Sequence, residues 1–194
     1  VKPGGRPRRL TPEREAELYT AVLDLLREVG YGSLTMDAVA TRTRCSKATL
    51  YRQWTGKPQL VAKALRHQKP VTLAGIDTGS LPGDFDAAAT RLNPLRLERD
   101  AALFRGLAQA AHADPDLFRA LRELLVVPEL TGLATLLQRA VERGELPADT
   151  PAVPYVPHAL LGLMVAHQLL EDGPVGPEFV RNYVDAVVLP ALGV

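Results

Sequence analysis

The sequence predicts an all-α chain, with an N-terminal helix-turn-helix followed by a larger helical domain. Three observations carry that expectation. Apolar residues recur at three- and four-residue spacing along most of the chain. Ser or Thr, Pro and Gly stand where that pattern starts and stops. Beyond residue 83 no stretch reads as a convincing strand. With 46% hydrophobic and 23% charged residues, the 194-residue chain has material for a sizeable core, and wholesale disorder is not expected.

Residues 1–11 are rich in Gly, Pro and Arg and read as a flexible basic arm. A first helix is expected from Thr11, with Thr11 as N-cap, Pro12 at the first helical position, and Glu13 and Glu15 at the positive end of the helix dipole. Leu18, Val22, Leu25, Leu26 and Val29 form its apolar face, and Gly30 ends it. Ser33 or Thr35 caps a second helix with Met36, Val39 and Ala40 inward. After the turn Thr43-Arg44-Cys45, a third helix runs from Ser46 to about Trp54, with Leu50 and Trp54 on one face. A fourth starts near Lys57-Pro58 and carries Leu60, Val61, Ala64 and Leu65. The stretch from Pro70 to Gly83 marks the change of domain, dividing the chain at 12–70 and 71–194. Further helices are expected at 84–92, 98–112, 115–143, 154–171 and 177–192. Pro128 should kink or split the third of these, because it lacks the N–H for the ladder and crowds the preceding turn.

Charge separates the two parts. Residues 1–70 hold fourteen Lys and Arg against six Asp and Glu, whereas residues 71–194 hold nine against sixteen. A basic front and an acidic back point to a polyanionic partner for the first part only. The third helix has the residues to read DNA in a major groove. Lys47, Ala48, Thr49, Tyr51 and Arg52 supply an outward side, and Leu50 and Trp54 an apolar back. Ala48 allows close approach and can touch a thymine methyl. Thr49 can bond a base edge or phosphate; Lys47 and Tyr51 can reach phosphates, which position the protein without reading sequence. Ser46 caps the helix and is itself a candidate DNA contact. Thr35 and Lys57 open the second and fourth helices, where a hydroxyl, an ammonium and backbone N–H groups suit a phosphate. Arg6, Arg8 and Arg9 on the arm can follow the backbone or enter a minor groove.

Residues 12–66 resemble the DNA-binding domain of the tetracycline-repressor (TetR) family of bacterial regulators. The resembling pieces are GRPRR, LLREVGYGSLTMDAVA, SKATLYRQW and GKPQLVAKAL, in that order and spacing. RGELPADT and the last two helices resemble one common version of the family's C-terminal domain. The turn departs from the pattern: the family usually has an Ala-Gly-Val-like tripeptide where this chain has Thr43-Arg44-Cys45. Arg44 then either takes a left-handed conformation, at a cost of roughly 1–2 kcal/mol relative to Gly, or adopts a different turn, and it is also placed to meet DNA. Cys45 reads either as a redox-sensitive thiol beside Arg44 and Lys47 or as a small core residue, the reading we prefer.

The resemblance implies a homodimeric repressor that binds a near-palindromic operator and is released by a small-molecule ligand held in the C-terminal domain. The dimer is expected through the last two helices, where Leu160, Leu163, Met164, His167 and Leu170, then Phe179, Tyr183 and Val187 beside Val180, Val184 and Val188, are apolar on more than one side. Candidate ligand contacts are Phe104, Leu107, Ala108, Gln109, His112, Phe118, Leu121, Leu125, Leu137 and His158. Abundant Ala and few aromatics suit an apolar or amphipathic molecule; core packing competes for each apolar position.

Other classes find less support. One cysteine excludes an internal disulfide and a Cys-rich zinc site. No two of the four histidines have the spacing of a helical metal site, and no metal or cofactor is expected. No phosphate loop, nucleophile elbow or metalloenzyme motif is present, so an enzyme is not expected. No spanning apolar run and no signal peptide are read, which suits a cytoplasmic protein with no membrane partner. The alternatives are a DNA-binding dimer without an inducer and, less favoured, a small all-α enzyme.

Overall fold

The computed structural model describes residues 10–68, 72–171 and 175–194, and among them every regular element is helical. Arg6, Arg8 and Arg9 of the expected arm lie outside the described residues. The helices are α1 (Pro12–Ser33), α2 (Met36–Thr43), α3 (Lys47–Gln53), α4 (Lys57–His67), α5 (Leu81–Thr90), α6 (Pro94–Ala113), α7 (Pro115–Leu121), α8 (Val127–Glu142), α9 (Val156–Leu170), α10 (Pro177–Tyr183) and α11 (Leu189–Leu192). Helices start where their caps dictate. Thr11, Thr35 and Ser46 each accept a hydrogen bond from the backbone N–H three residues on, at 3.3, 3.1 and 3.1 Å. Gly30, at φ 72°, interrupts α1 and permits the extra turn that ends when Leu34 N–H bonds the Gly30 carbonyl.

The chain forms two compact units. Among the described residues, the first joins 10–68 with 102–125, and the second joins 72–101 with 126–171 and 175–194. The spatial division therefore does not follow the single boundary at residue 70. Leu103, Leu107 and Leu117 pack into the same core as Leu18, Val22, Leu26, Leu50, Trp54 and Leu60, a long-range association that no linker composition signals. Cys45 packs half-buried against this core. Val29, expected on the inward face of α1, is 45% exposed; the next buried side chain is Tyr31, beyond the break at Gly30.

The second unit is built on Leu81, Phe85, Leu133, Leu136, Leu137, Val184 and Val188. Its segment 72–80 is fastened to α5 and α8. The fully buried Asp84 carboxylate accepts from the Thr78 backbone N–H (2.7 Å) and hydroxyl (2.8 Å), and from Arg143 at 3.4 Å. Leu73 and Ala74 pass so close to Gly132 that a Cβ there would lie 3.0 Å from the Leu73 Cβ.

Several boundaries differ from expectation for physical reasons. α5 begins at Leu81 rather than 84, because Ser80 caps it and Pro82 is harmless in a first turn. α6 starts at Pro94 rather than 98, with Asn93 bonding the Arg96 N–H at 3.1 Å. The expected break near Pro128 is a π-helical turn, Arg122–Val126. A second, Val184–Val188, divides the expected 177–192 helix. Each ends two residues before a proline, Pro128 or Pro190. A wider turn there relieves the clash between the proline ring and the preceding turn without ending the helix. Helical structure is continuous over Pro115–Glu142, which is long and apolar enough to cross a membrane by length and composition, contrary to the expectation of no such run. Its apolar side chains Leu133, Leu136, Leu137 and Ala140 instead fill the core of the second unit.

Candidate nucleic-acid interface

The site is the α2–turn–α3 hairpin on its supporting helices. Leu50 and Trp54, four residues apart, are 0% and 1% exposed and fix one side of α3 in the core. The Trp54 indole N–H donates to the Tyr19 hydroxyl at 3.3 Å, and the rings meet edge-on at 5.8 Å. Tyr19 in turn donates to the Glu15 carboxylate. Burial, reinforced by Glu15, pushes the Tyr19 phenol well above its ordinary pKa, so it stays protonated and donating. With that side anchored, Ser46, Lys47, Ala48, Tyr51 and Arg52 are exposed and Thr49 half-exposed. The structure thus places the predicted reading side of α3 on one outward surface.

The charges around this surface are not equivalent. Arg42 makes a two-pronged pair with Glu28 (3.0 and 2.6 Å), which holds the Glu28 carboxyl below its usual range. Lys47 reaches Asp37 at 2.5 Å. Arg14 pairs with Glu17 at 2.6 Å and also donates to the Thr43 carbonyl. Thr35 lies at the start of α2, its hydroxyl oxygen used in capping.

Lys57 is half-exposed, and its ammonium donates to the Tyr31 carbonyl at 2.9 Å while lying 4.1 Å from the centre of the Tyr31 ring. The Tyr31 hydroxyl donates to Asp114 at 2.7 Å. Asp114 also caps α7, accepting from the Asp116 and Leu117 N–H groups at 3.1 and 3.0 Å. These bonds hold Asp114 below the ordinary carboxylate pKa, Tyr31 being the largest cause; burial, then Asp114, raises the Tyr31 phenol. Sequence reading missed Tyr31 and Asp114, partners 83 residues apart. The only signal available was the Asp-Pro pair that opens α7.

Arg44 has the left-handed backbone, φ 50° and ψ 39°. Its N–H caps the end of α2 on the Thr41 carbonyl, and the Cys45 N–H bonds the Ala40 carbonyl at 3.0 Å. The departure from Gly at this turn therefore leaves the turn's geometry intact and places the conformational cost on Arg44.

The candidate ligand contacts divide between the units. In the first unit Leu107 is in the core, Leu121 and Leu125 are half-buried against it, and Phe104, Ala108, Gln109, His112 and Phe118 are exposed. The His112 Nδ1 lies 2.7 Å from the Ala108 carbonyl oxygen. A cleft of about 380 Å³ in this unit is lined instead by Thr55, Pro58, Gln59, Asp116, Arg119 and Glu123. In the second unit Leu137 lines an apolar groove of about 330 Å³ with Leu133, Val141, Leu146 and Val153, and His158 is exposed beside Tyr155. Among the described residues no group of three or more His, Cys, Asp or Glu is placed to hold a metal.

Comparison with known proteins decides the family. Residues 18–64 match the model for bacterial regulatory proteins of the tetR family, and residues 76–187 the tetracyclin repressor-like C-terminal domain. The chain belongs to the TetR family. It is 33% identical over 177 residues to the DNA-binding transcriptional repressor TetR of Mycobacteroides abscessus, covering 91% of this chain and 92% of that protein. It is 30% identical over 180 residues to the HTH-type transcriptional regulator YdeS of Bacillus subtilis, covering 93% and 89%. Among solved structures, the TetR family transcription regulator SCO0332 superposes with a TM-score of 0.68 at 30% identity, covering 92% of this chain and 98% of that one. The flavonoid-responsive regulator FrrA shares the fold at a TM-score of 0.67 and 22% identity, covering 94% and 97%. The chain is thus a DNA-binding transcriptional regulator of TetR type.

Proposed function

We propose that this TetR-family chain is a homodimeric, cytoplasmic repressor, with no enzymatic activity, that a small apolar or amphipathic ligand releases from a near-palindromic operator. The observation that carries the reading is the anchored α3, whose exposed Ser46, Lys47, Ala48, Tyr51 and Arg52, with Thr49, stand opposite buried Leu50 and Trp54. In this reading Thr35, Lys57 and Lys47 meet phosphates, while Ala48 and Thr49 meet base edges. Lys57 keeps two ammonium protons for a phosphate while donating one to Tyr31.

Dimerisation through the last two helical segments is supported by apolar side chains left outside. Leu161 and Val165 on α9 are 57% and 65% exposed, and Phe179 and Val187 beyond it are 39% and 45% exposed. Val184 and Val188, by contrast, are buried in the chain's own core. Such a face on helices already packed on their other side is covered by a second copy. Two α3 helices would then enter successive major grooves roughly 34–40 Å apart.

The functional division runs between residues 12–70, which read DNA, and residues 71–194, which dimerise and hold the ligand. Release requires a ligand that binds the two states with different affinity. The test is titration of the full chain onto duplexes from beside its own coding region, with and without ligands found by a thermal-shift screen. The reading predicts a dimer per palindrome and loss of binding with a stabilising ligand. A monomer in solution, or a stabilising ligand that leaves DNA affinity unchanged, contradicts it.

A further inference from the structure

We infer that Arg44 is a phosphate-contacting residue, and that this chain keeps a conformationally costly side chain in its turn for that contact. The inference rests on the DNA-binding reading above and assigns one residue within it. Two independent observations carry it. The first is the backbone. Among the described residues six lie in the left-handed region of φ; five are Gly30, Gly75, Gly79, Gly144 and Gly193, and the sixth is Arg44 at φ 50°. Glycine is the residue that adopts this conformation without a Cβ clash, and a helix C-terminus of this kind ordinarily ends on it. Nothing in the turn's own hydrogen bonds requires arginine, because they are made by the backbone N–H groups of Arg44 and Cys45.

The second observation is the guanidinium. Arg44 is exposed, and no hydrogen bond or ion pair to its side chain occurs among the described residues. Two basic neighbours on the same hairpin are engaged, Arg42 with Glu28 and Lys47 with Asp37, while exposed Arg52, whose backbone is helical, carries no such conformational cost. The Glu28 and Asp37 carboxylates thus already have partners. An arginine that costs backbone energy and returns no hydrogen bond or ion pair among the described residues points to a partner beyond them. Two residues before Ser46, it would stand, in the DNA-binding reading above, beside the wall of the groove, whose chemistry is phosphate. A planar, permanently charged donor matches that oxygen acceptor.

The experiment compares the full-length protein with Arg44→Gly and Arg44→Lys. Unfolding is followed without DNA, and affinity is measured over a salt series on the operator and on unrelated duplex. Arg44→Gly should raise the unfolding midpoint yet weaken binding to both duplexes, roughly ten-fold, with the salt slope reduced by about 0.9. Arg44→Lys, which keeps charge and backbone cost, should retain most of the slope without gaining stability. If Arg44→Gly binds as tightly as the parent with an unchanged slope, the inference is overturned while DNA binding stands. If the parent binds no duplex even at low salt, the DNA-binding reading falls and the inference with it. Loss confined to the operator, at an unchanged slope, also overturns it, because that pattern is base reading.

Discussion

Removing the Tyr31 hydroxyl tests whether α1 and α7 are joined as described. In Tyr31→Phe the ring remains in the core, where Tyr31 is 7% exposed, and the cation–π contact with Lys57 is kept. Only the 2.7 Å bond to Asp114 is lost. A hydrogen bond to a charged acceptor contributes about 1.5–3 kcal/mol. Asp114 is only half-buried, so solvent screening lowers the expectation to about 1–2 kcal/mol. For a chain of this size that is roughly 2–8 °C in unfolding midpoint. The bond also has a pH signature. It holds the Asp114 carboxyl below its unfolded value of about 3.9. A depressed carboxylate stabilises the fold above that value, and the contribution is lost as pH falls through the folded pKa. Denaturation of the parent and Tyr31→Phe followed by circular dichroism from pH 7 to pH 3 should show a gap that narrows below about pH 4. Equal stability at neutral pH, or a gap independent of pH, would refute the linkage.

Three further outcomes follow. Trp54→Ala empties the centre of the first unit and should cost about 3–5 kcal/mol by denaturant unfolding; a loss below 1 kcal/mol would mean the indole is not the anchor of α3. Val165→Glu on the exposed face of α9 should yield a folded monomer by light scattering and weaken operator binding, whereas an unchanged dimer would place the interface elsewhere. Lys57→Ala should weaken binding to all duplexes alike and lower the salt slope; unchanged affinity and slope would leave Lys57 with Tyr31 alone.

Much of the first unit was legible because its signals are local. Thr11, Thr35 and Ser46 cap helices, and the Leu50–Trp54 pair records helical period without reference to distant residues. What sequence hid is long-range or degenerate. Leu103, Leu107 and Leu117 read as part of a later domain but pack with α1 and α4, since an apolar stripe does not name its partner. On α9 nearly every position is apolar, so period does not separate inward from outward. Of the expected residues Leu163 and His167 are buried and Leu170 is exposed, and Leu161 and Val165, outside that set, are exposed as well. Pro128 announced its break but Pro190 did not, although a π-helical turn precedes both. Apart from Gln109, His112 and His158, the candidate ligand contacts rest on apolarity, a property that core and pocket share, and the set divides between the two units.

The central claim is that two copies of this chain place two α3 helices in successive major grooves. The most direct measurement is affinity and stoichiometry on the palindrome beside its coding region, against a duplex whose half-sites are moved apart by about half a helical turn. One dimer should bind the native spacing tightly, and affinity should collapse on the shifted duplex. Equal affinity for the two spacings, or no binding to either at low salt, would contradict the account.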